Sequence, residues 1–550
     1  MGVLIGAGNL LFGKGDDDFP IWLLAIRLNV LLLAASWAAI LVWQVSKARW
    51  KRLSGAAPDV CLVVAVTDVA AAFRGFLVRS NLFDHGGIPY SRMLVGYKGY
   101  FATAQFFSLF YAMTSRSIEH AIFLDRVLST ITVPLTYGLC RTLLPQSIVF
   151  AAVTALLMAL YPLQILFAAS DVLSVFSVFL LTASYLLFVW ATGTGQRNGA
   201  ATTLLYLGAF LGLSLLTQVR YENALFLLPP AMYTVMQRRA LSWRAAAPGF
   251  GVFLLLAAAY ACWALTSGLA YQNAVKLEEG LAVARRDVLL NPLLSVPMLL
   301  AGTAVCLLRL PWGLKPMPLL VWVVASGLLI LTADTGEHAA RVYSNWLLFV
   351  LAFSGYGFSV VLTEAGWFGR AVGGACVLWL AAQPFLLREA FSTPYLEIVE
   401  NDYFRSLWRE LPDDVRFVVV PDDDVMNRTA HSSLETLTKY ALIRAGAGAG
   451  ANAAQVVGIT TLLERPGQID CSRRGCAFFF GLPCLERGLY PFAGNQCQEL
   501  LRTHRTSVLD EATRVAAPFV DCSIYAGAMR QELCDPATRP RRFAVYRIEE

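Results

Sequence analysis

The stretch AAAFRGFLVRSNLFDHGG, residues 70–87, runs from an apolar segment into a polar, glycine-rich turn. The apolar part extends back to residue 58, so that a run of membrane-spanning length ends just before Asp84 and His85. A composition change of this kind is typical of the place where a membrane helix meets water. The stretch therefore predicts a membrane helix followed by a loop that presents a carboxylate and an imidazole.

The composition of the whole chain supports this interpretation. Of 550 residues, 57% are hydrophobic and only 15% are charged, and the mean hydropathy is +0.57. Soluble proteins are about one quarter charged. We therefore expect a polytopic α-helical membrane protein that lies in a lipid bilayer and has no nucleic-acid partner.

About twelve apolar stretches are long enough for spans of a hydrocarbon layer about 30 Å thick. They lie near residues 20–43, 58–78, 120–142, 147–166, 170–192, 200–217, 222–236, 247–267, 291–309, 317–333, 343–363 and 370–387. Because backbone amides have no other partner in lipid, such segments must be helices. The second stretch contains Asp68 and Arg74, so these two side chains should face a polar interior, or the segment should lie partly in the interface.

The chain divides by composition into three parts. We expect residues 1–57 to form an extra transmembrane helix with a cytoplasmic basic loop, residues 58–387 to form the main membrane domain, and residues 388–550, which contain no long apolar runs, to form a soluble domain. Runs such as VRFVVVPDDD (415–424), AQVVGIT (454–460) and RRFAVYRIEE (541–550) predict strands of an α/β domain.

Cysteines indicate on which side of the membrane this soluble domain lies. It contains Cys471, Cys476, Cys484, Cys497, Cys522 and Cys534. An even number of clustered cysteines favours disulfides in an oxidising compartment, with a zinc site or free thiols as the alternatives. The basic loops SKARWKR (46–52), MQRRALSWR (236–244) and RLPWGLK (309–315) are typical of the cytoplasmic side. We expect an integral, multi-pass plasma (inner) membrane protein whose C-terminal domain is extracytoplasmic.

Polar residues recur at the predicted outer ends of the helices. Besides the Asp84 turn, these loops contain Lys98, Asp171, Arg220, Glu222, Glu337, His338, Arg341 and Tyr343. A carboxylate there could accept a proton. The cations could hold a phosphate group.

Four stretches in this order resemble the GT-C superfamily of integral-membrane glycosyltransferases, which use polyprenyl-phosphate sugars and include protein O-mannosyltransferases and lipid A aminoarabinose transferases. The resemblance covers roughly residues 58–365. It rests on residues 70–87 quoted above, on IEHAIFLDRVLSTITVPLTYGLCRTLLP (118–145), on YPLQILFAASDVLSVFSVFLL (161–181) and on GAFLGLSLLTQVRYENALFLLPP (208–230).

The resemblance implies inverting transfer of a hexosyl or pentosyl group from a polyprenyl-phosphate carrier to a hydroxyl of a glycan, lipid or protein at the outer face. It gives catalytic roles to Asp84 and Asp171. It assigns the donor phosphate to Arg220, Arg341 and Lys98. His85, Glu222, His338, Tyr343 and Asp68 are further site candidates.

Two questions stay open within the resemblance. His85 stands where many members have a second carboxylate, which leaves dependence on a divalent cation open. Asp68 is the alternative to Asp84 as the loop carboxylate, because Lys98 then lies at about the family's spacing. The rival functions are a transporter or flippase of a lipid-linked glycan and a non-catalytic membrane sensor.

Overall fold

A computed structural model provides the structure of the chain. It describes residues 21–47, 57–77, 103, 106, 110, 118–168, 172–194, 199–219, 221–236, 242–266, 277–290, 294–310, 315–332, 342–386, 412, 414–421, 455–464, 469, 471, 475–485, 491–516 and 539–549.

Apolar helices dominate the described residues before position 387. The first half contains α1 (Ile21–Lys47), α2 (Ala57–Ala72, continued by a π-helical turn Phe73–Leu77), α3 (Ile118–Leu143), α4 (Ile148–Leu160), α5 (Pro162–Phe167), α6 (Val172–Thr194) and α7 (Gly199–Val219). The second half contains a 3₁₀ helix (Tyr221–Leu227), α8 (Leu228–Met236), α9 (Trp243–Thr266), α10 (Leu277–Val283, continued by a π-helical turn Ala284–Leu289), α11 (Val296–Arg309), α12 (Pro316–Thr332), α13 (Leu347–Glu364) and α14 (Trp367–Leu386).

Four helices in the described part of the chain are long and apolar enough, by length and composition, to cross a membrane. They cover Ile26–Trp43, Leu173–Gly193, Gly199–Val219 and Leu347–Glu364. Four further apolar helices are shorter, at Ile148–Leu160, Trp243–Ala258, Val296–Arg309 and Pro316–Leu331. Helix is thus present in each of the twelve predicted stretches, which confirms the mostly helical class. The number of crossings stays a prediction.

Two details differ from what the sequence indicates. The segment at 222–236 begins as a 3₁₀ helix rather than an α-helix, and the α-helix that follows has Pro229 and Pro230 in its first turn. Residues around Arg285, which the hydropathy pattern leaves in a loop, belong to α10 and its π-helical continuation. That segment mixes Glu and Arg with short apolar runs, so hydropathy alone does not detect it.

Close helix packing depends on glycine at two crossings. A Cβ atom at Gly357 in α13 would lie 1.8 Å from the oxygen of Gly302 in α11, and one at Gly280 in α10 would lie 1.7 Å from the oxygen of Ile330 in α12. Small residues let helix backbones approach in this way in membrane bundles. These contacts fix α11 against α13 and α10 against α12.

A five-stranded sheet forms the C-terminal region, with strand order β2-β1-β3-β5-β4. The strands are β1 (Phe417–Val420), β2 (Gln455–Gly458), β3 (Cys476–Phe480), β4 (Arg505–Ala516) and β5 (Arg539–Glu549). β1 pairs in parallel with β2 and β3, whereas β5 pairs antiparallel with β3 and β4. The strands predicted near 417, 455 and 541 are confirmed, while β3 and β4 are additional.

The two faces of this sheet belong to different hydrophobic clusters. Phe417, Val419 and Phe478 pack with α15 (Ile459–Glu464), α16 (Leu482–Leu485) and α17 (Pro491–Thr503). The alternate residues Val418 and Phe479 belong to the same contiguous cluster as the membrane helices. This is the period-two pattern of strands that are covered on both faces.

Disulfides link Cys471 to Cys476 and Cys484 to Cys497. The prediction of disulfides is therefore confirmed for four of the six cysteines. Cys522 and Cys534 lie outside the described residues.

Candidate functional site

Arg74, in the π-helical turn that continues α2, is a deeply buried charged residue, with only 1% of its surface exposed. Its Nε donates to the Ser129 hydroxyl at 2.7 Å, and its Nη1 and Nη2 donate to the main-chain oxygens of Ala159 at 2.8 Å and Met158 at 3.1 Å. Nη1 also lies 3.3 Å from the oxygen of Ala70. Every nitrogen of the guanidinium therefore has a partner, and α2, α3 and α4 meet at one side chain.

The partners of Arg74 explain why a charge is tolerated here. Met158 and Ala159 are in the last turn of α4, where main-chain oxygens lack partners within the helix. The carboxyl end of a helix also carries a partial negative charge that favours a cation. Arg74 thus satisfies that end of α4 and fixes the end of α2 against it.

The chain leaving α4 contributes a buried tyrosine pair. Tyr161 donates from its hydroxyl to the main-chain oxygen of Leu294 at 2.6 Å. Its hydroxyl oxygen lies 3.2 Å from that of Tyr343, and both rings are buried. The pair connects the end of α4 with the residues that immediately precede α11 and α13.

Ser295, next to Leu294, has a left-handed backbone with φ of +44°. This conformation is costly for a residue other than glycine and persists only where neighbouring contacts enforce it. Two contacts do so here: Tyr161 bonds the Leu294 oxygen, and the Gln383 amide donates to the Ser295 hydroxyl. The amino end of α11 is therefore held in a fixed position against α14 and the tyrosine pair.

Asn223, in the 3₁₀ helix after α7, forms a second buried group. Its side-chain nitrogen donates to the Ser177 hydroxyl on α6 and to the Leu216 main-chain oxygen, both at 3.1 Å. Phe226 in the same 3₁₀ helix contacts Trp346, with ring centroids 4.6 Å apart. The turn after α7 is thereby fixed against the start of α6 and the start of α13.

All these contacts lie at one end of the helix bundle. They involve the carboxyl ends of α2, α4, α7 and α14 and the amino ends of α6, α11 and α13. Ion pairs mark the opposite end, where Asp59 at the start of α2 binds Arg141 at the end of α3, and Arg309 binds Glu364. The two ends are chemically distinct. Buried polar side chains concentrate at the end that contains Arg74, Tyr161, Asn223, Ser295 and Tyr343, and we call this the polar end.

Most of the residues proposed from the sequence lie outside the described residues: Asp84, His85, Lys98, Asp171, Arg220, His338 and Arg341. Glu222 belongs to the 3₁₀ helix directly before Asn223, but its side chain is not among those described. Asp171 directly precedes α6, Arg220 follows α7, and Arg341 lies two residues before Tyr343. Their chain neighbours are therefore at the polar end.

Tyr343 and Asp68 are the two proposed residues whose side chains are described. Tyr343 is buried in the tyrosine pair at the polar end. Asp68 is exposed on α2, between Asp59 at one end and Arg74 at the other. It lies six residues before Arg74, roughly 9 Å along the helix at 1.5 Å per residue.

Sequence reasoning did not identify Tyr161, Asn223 or Asn345. A tyrosine or an asparagine at a helix end carries no motif. The contacts of Tyr161 with Leu294 and Tyr343, and of Asn223 with Ser177, come from distant parts of the chain. The burial of Asn345 is likewise not visible in the sequence. Among the described residues, no group of three or more His, Cys, Asp and Glu side chains is arranged to hold a metal ion.

No protein-family model and no curated protein sequence matches the chain. Its fold, however, is similar to that of ArnT from Cupriavidus metallidurans in the apo state, a GT-C glycosyltransferase. The match has a TM-score of 0.51 at 11% identity and covers 90% of this chain and 98% of ArnT. The chain has a GT-C-like fold.

Two other GT-C enzymes show weaker similarity. Arabinofuranosyltransferase AftD from Mycobacteria matches with a TM-score of 0.48 at 12% identity, over 89% of this chain and 40% of AftD. The oligosaccharyltransferase AglB from Archaeoglobus fulgidus, in complex with an inhibitory peptide and a dolichol-phosphate, matches with a TM-score of 0.43 at 10% identity, over 73% of this chain and 69% of AglB. The GT-C resemblance stated from the sequence is confirmed at the level of fold by the match to ArnT.

Proposed function

We propose that the protein is a glycosyltransferase that moves a sugar from a polyprenyl-phosphate carrier to an acceptor hydroxyl at the membrane surface. The observation that carries the proposal is the fold match to ArnT, which extends over nearly the whole of both chains. A match of this extent is expected when the arrangement of helices and the C-terminal region is shared. It supports a common reaction class, although the sugar and the acceptor differ freely on one fold.

The polar end supports the same proposal. Arg74 holds the end of α2, after which Asp84 follows in the sequence. Asn223 links the turn after α7, where Arg220 stands, to α6, which Asp171 directly precedes. A transfer site needs a rigid scaffold that presents reactive side chains on loops. Among the described residues, the ion pairs at the opposite end are partly exposed (Asp59–Arg141) or exposed (Arg309–Glu364).

In the proposed reaction, the Asp84 carboxylate takes the proton of the acceptor hydroxyl. The acceptor oxygen then forms a bond to the anomeric carbon from the face opposite the carrier. The bond between that carbon and the phosphate oxygen breaks, and its electron pair leaves with the polyprenyl phosphate. The product is a glycoside of inverted anomeric configuration.

Charge stabilisation is the second requirement, because the leaving phosphodiester becomes a phosphomonoester. Arg220 and Arg341 are proposed to hold this phosphate, with Lys98 as a third contact. Cations at a partly dehydrated site stabilise developing negative charge more strongly than they do in water. Asp171 is proposed to orient the acceptor or to hold His85. Glu222, His338 and Tyr343 would line the same site.

The test is a transfer assay with purified protein in nanodiscs. The donors are polyprenyl-phosphate-linked pentoses and hexoses that carry a radiolabelled sugar. The acceptor is a membrane extract of the cell from which the protein comes. Parallel reactions contain either EDTA or added divalent cations. We expect label to move from the carrier into acceptor, with release of polyprenyl phosphate. Movement of intact carrier between leaflets without release of phosphate would instead support a flippase, and no loss of carrier from any donor would reject the proposal.

A further inference from the structure

Asn345 directly precedes Trp346 at the polar end and is 2% exposed. Within the described residues, neither the oxygen nor the nitrogen of its side-chain amide has a hydrogen-bond partner. Buried amides are almost always paired, since an unpaired one loses its bonds to water without replacement. This side chain therefore has capacity for two donated hydrogen bonds and for accepted ones.

Asn223 has a related feature with a defined orientation. Its nitrogen faces the Leu216 oxygen, which can only accept, so the amide cannot be turned the other way. Its Oδ1 is buried and, among the described residues, has no donor. The unsatisfied atom of Asn223 is therefore an acceptor, and its missing partner is a hydrogen-bond donor.

The two asparagines belong to elements that are packed together. Phe226 lies one 3₁₀ turn beyond Asn223 and so on the same face of that helix. Its ring centroid lies 4.6 Å from that of Trp346, the residue after Asn345. Both amides therefore lie at the polar end. In the sequence, Asn223 follows Arg220 by three residues and Asn345 follows Arg341 by four.

We propose that Asn223 and Asn345 bind hydroxyl groups of the sugar ring of the donor. The Oδ1 of Asn223 needs a donor, which excludes a phosphate because a phosphodiester only accepts hydrogen bonds. A prenyl chain neither donates nor accepts. A sugar hydroxyl does both and matches the two amides. The inference rests on the proposed function and deepens it, since it separates sugar recognition from the phosphate-binding cations.

The test compares Asn345→Leu with the parent protein in nanodiscs. Leucine has the same number of side-chain heavy atoms in the same branched arrangement and removes a buried unpaired amide, so the melting temperature Tm should stay equal or rise. Binding of bare undecaprenyl phosphate should stay unchanged, whereas the preference for polyprenyl-phosphate-linked pentoses or hexoses over the bare carrier should fall roughly ten- to hundredfold. Asn223→Asp keeps Oδ1 but adds a negative charge. It should also lower the preference for sugar-loaded carrier over the bare carrier.

Asn29→Leu provides the matched control. Asn29 is also a buried amide, but its nitrogen donates to the Gln218 side-chain oxygen at 3.1 Å. Its replacement should lower Tm and leave the preference for sugar-loaded carrier unchanged. Equal preference in the parent and Asn345→Leu would overturn the inference while leaving the proposed function standing. If the parent protein binds every sugar-loaded carrier no better than the bare carrier, the inference is overturned as well. If the parent protein also transfers no sugar, the proposed function is rejected too.

Discussion

The guanidinium of Arg74 and the main-chain oxygen of Ala159 lie 2.8 Å apart, which joins the end of α2 to the end of α4. Replacing Arg74 by Met should lower the free energy of unfolding by about 2–4 kcal/mol, because several buried main-chain oxygens lose a charged donor. Arg74→Lys should recover only part of this loss, since one ammonium cannot reproduce the planar set of donors. Thermal unfolding in nanodiscs measures the effect.

Arg370→Ala is the control for this prediction. Arg370 also donates to main-chain oxygens near a helix end, those of Ala365 and Thr363, but it is exposed. Its loss should cost less than about 1 kcal/mol. If the two variants lost the same free energy of unfolding, the burial of Arg74 at the polar end would add nothing to the stability that its hydrogen bonds provide.

The ion pair at the opposite end should affect stability without affecting transfer. Arg141 contacts both carboxylate oxygens of Asp59, at 2.7 and 2.9 Å, and both side chains are about one quarter exposed. A double-mutant cycle with Asp59→Asn and Arg141→Ala should give a coupling energy of about 0.5–1 kcal/mol. The turnover number of each variant should stay within about twofold of the parent. A large loss of turnover at unchanged Tm would mean that the reaction takes place at the end of the bundle that contains Asp59 and Arg141, and it would contradict a site at the polar end.

Membrane orientation can be tested with one cysteine reporter at each side. Arg502 on α17 and Glu364 at the end of α13 both have well-exposed side chains. With the C-terminal domain outside, Arg502→Cys should react with an impermeant thiol reagent in intact cells. Glu364→Cys should react only after permeabilisation. The reverse pattern would invert the proposed topology.

The sequence predicts the helical class well because burial in lipid imposes a simple rule on composition. It fails where polar contacts decide the structure. Arg74 looks like an expensive charge in an apolar segment, yet the oxygens that satisfy it belong to residues 158 and 159, more than eighty positions away. No local pattern reveals such partners.

The same reason limits the prediction of the site. Asp84 and Arg341 stand out because charges are rare in this chain, whereas Asn223 and Asn345 are ordinary polar residues until their burial is known. The β3 strand CAFFF was also not predicted, because a short apolar run fits either a strand or a buried helix. Its pairing with β1 and β5 resolves the ambiguity.

Asp84→Asn should lower turnover by about two to four orders of magnitude if this carboxylate is the base. Donor binding and Tm should remain close to those of the parent. Asp68→Asn is the paired variant, because Asp68 is exposed on α2 roughly 9 Å before Arg74 and should retain near-parental turnover. The opposite ranking of the two variants would assign the base to Asp68.

Arg341→Ala tests the proposed contact to the donor phosphate. Arg341 lies two residues before Tyr343, whose hydroxyl is fixed by Tyr161 at the polar end. A charge-assisted contact is worth about 1.5–3 kcal/mol, so donor affinity or turnover should fall by roughly one to two orders of magnitude. Arg341→Lys keeps the charge but loses the planar fork and should recover only part of the activity. Arg220→Ala should behave like Arg341→Ala.

Arg285→Ala is the control for the two phosphate variants. Arg285 is an exposed residue of the π-helical turn after α10, and an arginine whose charged group extends into water costs little when it is removed. Titration of each variant with undecaprenyl phosphate separates donor binding from turnover. Affinity for this bare carrier should fall only when a contact to the phosphate is lost. If Arg285 proved essential while Arg220 and Arg341 were dispensable, the phosphate would bind near α10, and the roles proposed for these two arginines would be wrong.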